Sequence, residues 1–335
     1  MKLGDLHNFG QRVSVIRQDN SCYYLKPRSV IWEWLFFSLQ SPLRPALSKV
    51  EILGHTLSSL LLNLDVEITG DLSGKSLHIE EYTGATQESH YIAYGAIIAY
   101  SYVYGLMDLL AENIIKTNDS LQGIDLEVVL TKVILPHQTL VMPYKAIPWE
   151  KCAGKHIQES MIELSFDQKS LVLKSFIITM VELANLKIDY NQIIPVDVIR
   201  KAPVRIILRF TKDYYDRKGD FLPEETSQLE RGDIPYFFKY INSDAVFFYT
   251  NENHEFKEVS LQGDLKKNAD QTGLGFESVM NDKTLLEKVI FGSTYLLKSF
   301  FQDSDVSFSY KNFQLKKSGL RANISYQNNT YNSDL

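Results

Sequence analysis

The chain has 335 residues, enough for two lobes and a sizeable core, and its 44% hydrophobic and 23% charged content is that of an ordinary soluble globular protein. A formal net charge of −6 argues against wholesale nucleic-acid binding, which would want a basic stripe, so no nucleic-acid partner is expected. Cys22 and Cys152 form neither a disulfide framework nor a metal-ligand spacing, and the opening MKLGDLHNFG carries no basic-plus-apolar leader; both features predict a cytoplasmic protein.

Residues 11–16 and 21–25 alternate around Gln18-Asp19-Asn20 and predict a β-hairpin ending near Lys26, where Pro27 closes the ladder. Residues 30–39 and 47–64 predict helices, the second weakened by Gly54. Residues 76–82 predict a strand leading to the turn Thr83-Gly84. The uncharged run Tyr91 to Met107 (YIAYGAIIAYSYVYGLM) is short for a membrane span, and its small residues and tyrosines predict a helix packed on all sides. Beyond it come a loop holding Asp108, strands near 113–115 and 124–130, and a strongly apolar helix over 170–186. A strand over 203–210 (PVRIILRF), a polar link over 219–225, an amphipathic helix over 284–301 and a frayed Asn-, Ser- and Tyr-rich tail complete the order. This order predicts an α+β, two-lobed, kinase-like fold, with a β-rich lobe over residues 1–85, a helix-rich lobe over 86–325 and a polar tail over 326–335.

Asp108 is followed five residues later by Asn113, and Asp125 stands twelve residues beyond that. Phosphoryl transfer needs this order: one aspartate for the hydroxyl, an asparagine for a metal, and a second aspartate to bridge magnesium on ATP. Any one of the three alone reads as a backbone cap. Glu127, on the same face of the predicted strand as Asp125, either supplements the metal site or flanks it. Lys26, leaving an apolar strand in YYLKPRS, is either a solvated edge charge or, in combination with these residues, the lysine that neutralises ATP phosphates.

GDLH at residues 4–7 resembles the HGDxHxxN catalytic loop of aminoglycoside-kinase-like enzymes, but Gly10 stands where the asparagine is needed, and only three residues precede Gly4. Asp5 and His7 are better read as a carboxylate and an imidazole on a loop above the site, suited to proton transfer near neutral pH, or as a surface turn. Arg205 and Thr211, six apart in PVRIILRFTKDYY, lie in a basic segment with Arg200, Lys201, Arg209 and Lys212. A guanidinium there can hold a phosphate bidentately; the alternative is a solvated basic strand.

Taken together, GDLHNFGQRV, YYLKPRS, YGAIIAYSYVYGLMDLLAEN, GIDLEVVL, VRIILRFTKDYY and LERGDIPYFFKY resemble the dehydratase domain of class II lanthipeptide synthetases, the LanM family, over residues 4 to about 240. The resemblance implies a lipid-kinase-like fold that phosphorylates Ser and Thr of a ribosomally made precursor peptide with ATP and Mg2+, then eliminates the phosphate to leave a dehydroamino acid. By motif, Lys26, Asp108, Asn113 and Asp125 would serve phosphorylation, and Asp5, His7, Arg205 and Thr211 elimination. Three departures stand out. Leu110 occupies the position of the family's loop histidine, the helical region before GDxH is missing, and so is the zinc-binding cyclase domain. The expectation is therefore a partial or split dehydratase, completed by a companion polypeptide. The alternatives are a non-catalytic peptide- or nucleotide-binding scaffold and a small-molecule kinase.

Overall fold

The computed structural model describes residues 9–10, 13–18, 21–69, 73–77, 82–144 and 147–335. The predicted hairpin is β1 (Ser14–Gln18) and β2 (Ser21–Ser29), paired antiparallel from Ser14↔Leu25 to Gln18↔Ser21. Pro27 does not end β2. The strand continues to Ser29, while its pairing with a later strand is irregular between Lys26 and Ser29, the interval in which proline has no N–H to donate. Helix α1 (Ile31–Phe37, IWEWLFF) follows with six of its seven residues buried, one of them Glu33.

The helix expected over 47–64 is broken. It resolves into α2 (Arg44–Leu47), the two-stranded pair β3 (Glu51–Ile52) and β4 (His55–Thr56), and α3 (Leu57–Leu61). The turn joining β3 and β4 places Leu53 at φ 50° and Gly54 at φ 89°, a left-handed conformation that glycine tolerates and a helix does not. Strands β5 (Val66–Ile68) and β6 (Ser73–Leu77) complete an antiparallel sheet in the order β1-β2-β6-β5.

Helix α4 (Glu88–Tyr104) is the predicted apolar helix, with every residue after Glu88 buried. Its tyrosines bury large rings and still satisfy their hydroxyls: Tyr94 donates to the Val141 carbonyl at 3.1 Å, Tyr100 to Phe36 at 3.1 Å and Tyr102 to Ile134 at 2.6 Å. Gly105 caps the helix in the left-handed conformation at φ 60°, against Thr131. No described helix is long and apolar enough to cross a membrane. Strands β7 (Ile114–Lys116) and β8 (Leu121–Gly123) form a small pair.

Residues 124–130 are not the expected strand. Asp125 at φ 58° and Leu130 at φ 51° break the extended run. The segment is threaded instead: Val128 O accepts from Met107 N, Glu127 O from Arg205 N, and Leu126 N donates to the Glu33 carboxylate.

Helix α5 (Phe166–Asn185), opened by a Ser165/Gln168 capping box, packs along α4. Short helices α6 (Tyr190–Ile193) and α7 (Val196–Ile199) lead to β9 (Pro203–Ile206), shorter than the strand expected over 203–210. Helices α8 (Thr211–Tyr215) and α9 (Pro223–Glu230) come next, the second begun inside the stretch expected to be a polar link. Strands β10 (Phe237–Tyr240), β11 (Val246–Tyr249) and β12 (Phe256–Val259) form a sheet with β9 in the order β12-β11-β10-β9. Helices α10 (Gly263–Asp270), α11 (Phe276–Val279) and α12 (Asp282–Phe300) precede a four-stranded meander, β13 (Val306–Tyr310), β14 (Phe313–Ser318), β15 (Arg321–Tyr326) and β16 (Asn329–Asp334). The C-terminal stretch expected to fray is thus a strand, paired with β15 from Arg321↔Asp334 to Tyr326↔Asn329. The architecture is α+β, small antiparallel sheets combined with helices.

Lys288 of α12 fixes the end of α4 that leads to Asp108. Its Nζ donates to the Tyr102 and Val103 carbonyls at 2.8 and 2.9 Å, and burial pushes its pKa down to about 7.

Gly95 sets the approach of α4 to α5: a Cβ there would lie 2.3 Å from the Val172 carbonyl oxygen. Gly95→Ala is expected to destabilise the fold by about 1–3 kcal/mol through overpacking, read from denaturant unfolding. A midpoint equal to wild type would show that the two helices have slack.

Candidate active site

Six charged side chains from four distant segments meet in one cluster. Lys26 on β2 places its Nζ 3.0 Å from Oε1 of Glu33 on α1 and 3.3 Å from Oδ1 of Asp125. Arg28, two residues on and on the same strand side, donates from Nη2 to Glu33 at 2.8 Å and to Asp125, and its Nε lies 2.5 Å from Oε1 of Glu127. On the far side, Nη1 of Arg205 on β9 stands 3.5 Å from Oε2 of Glu127, and its guanidinium stacks 5.4 Å from the centre of the Tyr236 ring. The cluster runs continuously from Lys26 to Arg205.

Burial opposes ionisation of Glu33 and Asp125, but Arg28 and then Lys26 outweigh it and hold both carboxyls below the usual range, Asp125 far below. Asp125 remains 47% exposed, the opening of the cluster to solvent. Oε2 of Glu33 and Oε2 of Glu127 are buried with no hydrogen-bond partner. Among the described residues, no three His, Cys, Asp or Glu side chains converge as they stand on a metal position.

Asp108 sits just beyond the Gly105 cap at φ 63°. Burial raises its pKa; Arg205 pulls it back in part, while Glu127 and Asp125 push it up. The Asn113 amide donates to the Asp108 carbonyl at 2.7 Å and closes the loop between them, so its nitrogen acts as a backbone cap while its oxygen remains a potential ligand. The backbone of Leu110 forms an isolated antiparallel bridge with Cys152. An imidazole does reach this loop from another segment, with Nε2 of His156 2.8 Å from the Ala111 carbonyl.

Asp5 and His7 lie outside the described residues. The turn immediately after them is anchored: Asp233, 1% exposed, accepts from the N–H groups of Phe9 and Gly10, both at 2.9 Å. Phe9 and Gly10 have φ of 68° and 75°, and the Arg231 guanidinium covers the Phe9 ring at 4.1 Å. Asp233 belongs to the GDIPYFFKY segment, whose strand β10 pairs with β9 at Phe238↔Arg205. Thr211 is the first residue of α8, after the exposed Phe210. Arg209 is committed to structure, donating to the buried Glu225 at 2.9 Å and to the Asp220 carbonyl at 2.6 Å.

The structure thus brings together Lys26, Asp125, Glu127 and Arg205, with Asp108 in their electrostatic field, and it holds Asn113 beside Asp108. It adds Glu33, Arg28 and Asp233, which sequence reasoning missed. A lone glutamate inside IWEWLFF was the available signal for Glu33, because a buried carboxylate in an apolar helix demands a cation. Arg28 stood beside Lys26 in the same motif, but nothing in the sequence marked its partners.

Residues 1–166 match the family described as a domain of unknown function (DUF4135), a domain associated with lanthipeptide synthetases. The match takes in the DLH sequence at residues 5–7, Lys26, Glu33, Asp108, Asn113, Asp125 and Glu127, and stops before Arg205. Comparison with curated proteins gives no significant match.

Removing one partner from this buried network leaves uncompensated charge, so Glu33→Ala is expected to cost about 3 kcal/mol in denaturant unfolding. The pH dependence has a fixed sign. Glu33 and Asp125 have folded-state pKa values below their unfolded ones, so their contribution is complete above the unfolded carboxylate value of about 4 and is lost as pH falls through the depressed folded values. Melting temperature should hold from neutrality to about pH 5 and fall below about pH 4, with a shallower fall in Glu33→Gln. Equal slopes in the two proteins would remove Glu33 from the account.

Proposed function

We propose that the chain is an ATP-dependent dehydratase acting on Ser and Thr of a ribosomally made precursor peptide, of the class II lanthipeptide synthetase kind, working in the cytoplasm. The observation that carries this reading is the Lys26–Glu33–Asp125 contact, continuous with Arg205. A strand lysine paired to a helix glutamate beside a metal-binding aspartate is the arrangement that protein kinases use on ATP, and it supports a two-lobed, lipid-kinase-like organisation here. The family association of residues 1–166 supports the same direction.

Magnesium fits the residues present. Asp125, the Asn113 amide oxygen, Oε2 of Glu33, which has no partner, and Oε2 of Glu127, which has only the Arg205 ion pair, are hard oxygen donors of the kind Mg2+ takes. When bound, it would neutralise charge on the transferred phosphoryl group. The chain's own residues would do the rest. Lys26 would hold the ATP phosphates. Asp108, with its raised pKa, is basic enough to take the proton of the substrate hydroxyl as the oxygen–phosphorus bond forms and the bond to ADP breaks. In the second step a base removes the α-proton, the Cβ–O bond breaks and inorganic phosphate leaves. Asp5 or His7 would take that proton, and Arg205, with Thr211, would stabilise the departing phosphate.

The test is mass spectrometry of a co-expressed precursor peptide. Loss of one water per modified residue is the expected result with the wild-type chain. Lys26→Ala and Asp108→Asn should leave the peptide unmodified, and Arg205→Ala should accumulate the phosphorylated peptide. Phosphorylation should also weaken as pH falls through the raised pKa of Asp108, because only the carboxylate accepts a proton. Leu110 motivates one rival: peptide binding with no Mg-ATP turnover would make the chain a scaffold. Rapid transfer to a small hydroxyl compound instead of the peptide would make it a small-molecule kinase.

A further inference from the structure

Arg28 is the most heavily engaged side chain of the cluster. Its Nη1 donates to the Ser29 carbonyl at 2.8 Å, Nη2 bridges Glu33 and Asp125, and Nε meets Glu127. The three carboxylates therefore converge on one guanidinium. Two of them, Glu33 and Glu127, each engage through Oε1 and keep a buried Oε2 with no hydrogen-bond partner. The planar fork leaves Oε2 of Glu33 without a hydrogen bond and Oε2 of Glu127 with only the Arg205 ion pair at 3.5 Å; a divalent ion held by oxygen ligands would use both.

The charges balance as the cluster stands. Lys26, Arg28 and Arg205 supply three positive charges against three negative ones on Glu33, Asp125 and Glu127. A bare divalent cation would add two positive charges to a neutral group and compete with Arg28 for the same oxygens. A nucleotide triphosphate brings a compensating negative charge and gives a displaced guanidinium somewhere to go. Arg28 lies in the interval of β2 where pairing to β6 is irregular, so it is not locked into a regular ladder.

We propose that Arg28 is a place-holding cation: its guanidinium sits among Glu33, Asp125 and Glu127 where a divalent metal would bind, and a metal–nucleotide would displace it and turn it to the phosphates. The identity of the incoming ligand rests on the phosphoryl-transfer reading above. The place-holding role is tested without peptide or turnover. Metal and nucleotide then bind together, each weakly alone, and Arg28 is a phosphate-binding residue in addition to Lys26.

The experiment is Mn2+ titration followed by the electron paramagnetic resonance signal of free Mn2+, with and without a non-hydrolysable ATP analogue. Wild type should bind Mn2+ weakly alone and more tightly with the analogue. Arg28→Gln should bind Mn2+ alone about tenfold more tightly, since one opposing charge at contact distance is gone, and should lose most of the gain from the analogue. Lys26→Gln removes the same charge while leaving the guanidinium in place, so its gain for Mn2+ alone should be clearly smaller. Arg28→Lys, which keeps the charge but cannot reach three carboxylates at once, should fall between wild type and Arg28→Gln. Thermal unfolding identifies any variant that fails to fold, and Arg28→Lys then decides the question. Arg28→Gln or a folded Arg28→Lys binding Mn2+ no better than wild type overturns the proposal, as does an equal gain in Lys26→Gln. If no protein responds to the analogue while Arg28→Gln still gains Mn2+ affinity, the place-holding role stands and the ATP-dependent reading fails.

Discussion

Everything near the candidate site depends on taking several charges out of water at once. Glu33 is 2% exposed and Lys26 6%, and a single ion at such depth would cost several kcal/mol. The cost is tolerable because each buried charge has an opposite partner and hydrogen bonds; Glu33 alone receives Lys26, Arg28 and the Leu126 N–H. That requirement decides the tertiary arrangement. β2 must lie against α1, the segment after β8 must pass beneath both, and β9 must close from the other side through Arg205.

The apolar core supplies the platform. Helix α4 is buried on all faces, and its tyrosines pass hydroxyls out to carbonyls on neighbouring segments, so a wide aromatic surface is packed without orphaned donors. Lys288 and the left-handed Gly105 then fix where the chain leaves the helix, two residues before the Met107 N–H pairs with Val128. Asp108 follows directly. Its position is set by the end of a rigid helix rather than by a free loop.

Much of the fold was legible because its signals are local. The hairpin of β1 and β2, the helix α4, and helices α5 and α12 follow from alternation, an uncharged run and amphipathic period respectively. The errors share one cause, a local pattern overridden by a left-handed residue or a distant partner. Gly54 turned an expected helix into β3 and β4, and Asp125 and Leu130, both at positive φ, broke an expected strand. The supposed polar link became the start of α9 because Arg209 and buried Tyr214 give the buried Glu225 partners. The supposed frayed tail found β15.

The amino-acid order determined which chemistry is available: an Asp108, Asn113 and Asp125 spacing, a strand lysine at Lys26, and a basic segment around Arg205. It could do so because motif spacing within one segment is a one-dimensional property. Tertiary structure decided the partners. That Glu33 and Arg28 complete the cluster, and that Asp233 holds the turn after Asp5 and His7, depends on pairings across as many as 224 residues. Such pairings are selected by the energy of the whole buried network, because no local pattern records which opposite charge will be present when water has been removed.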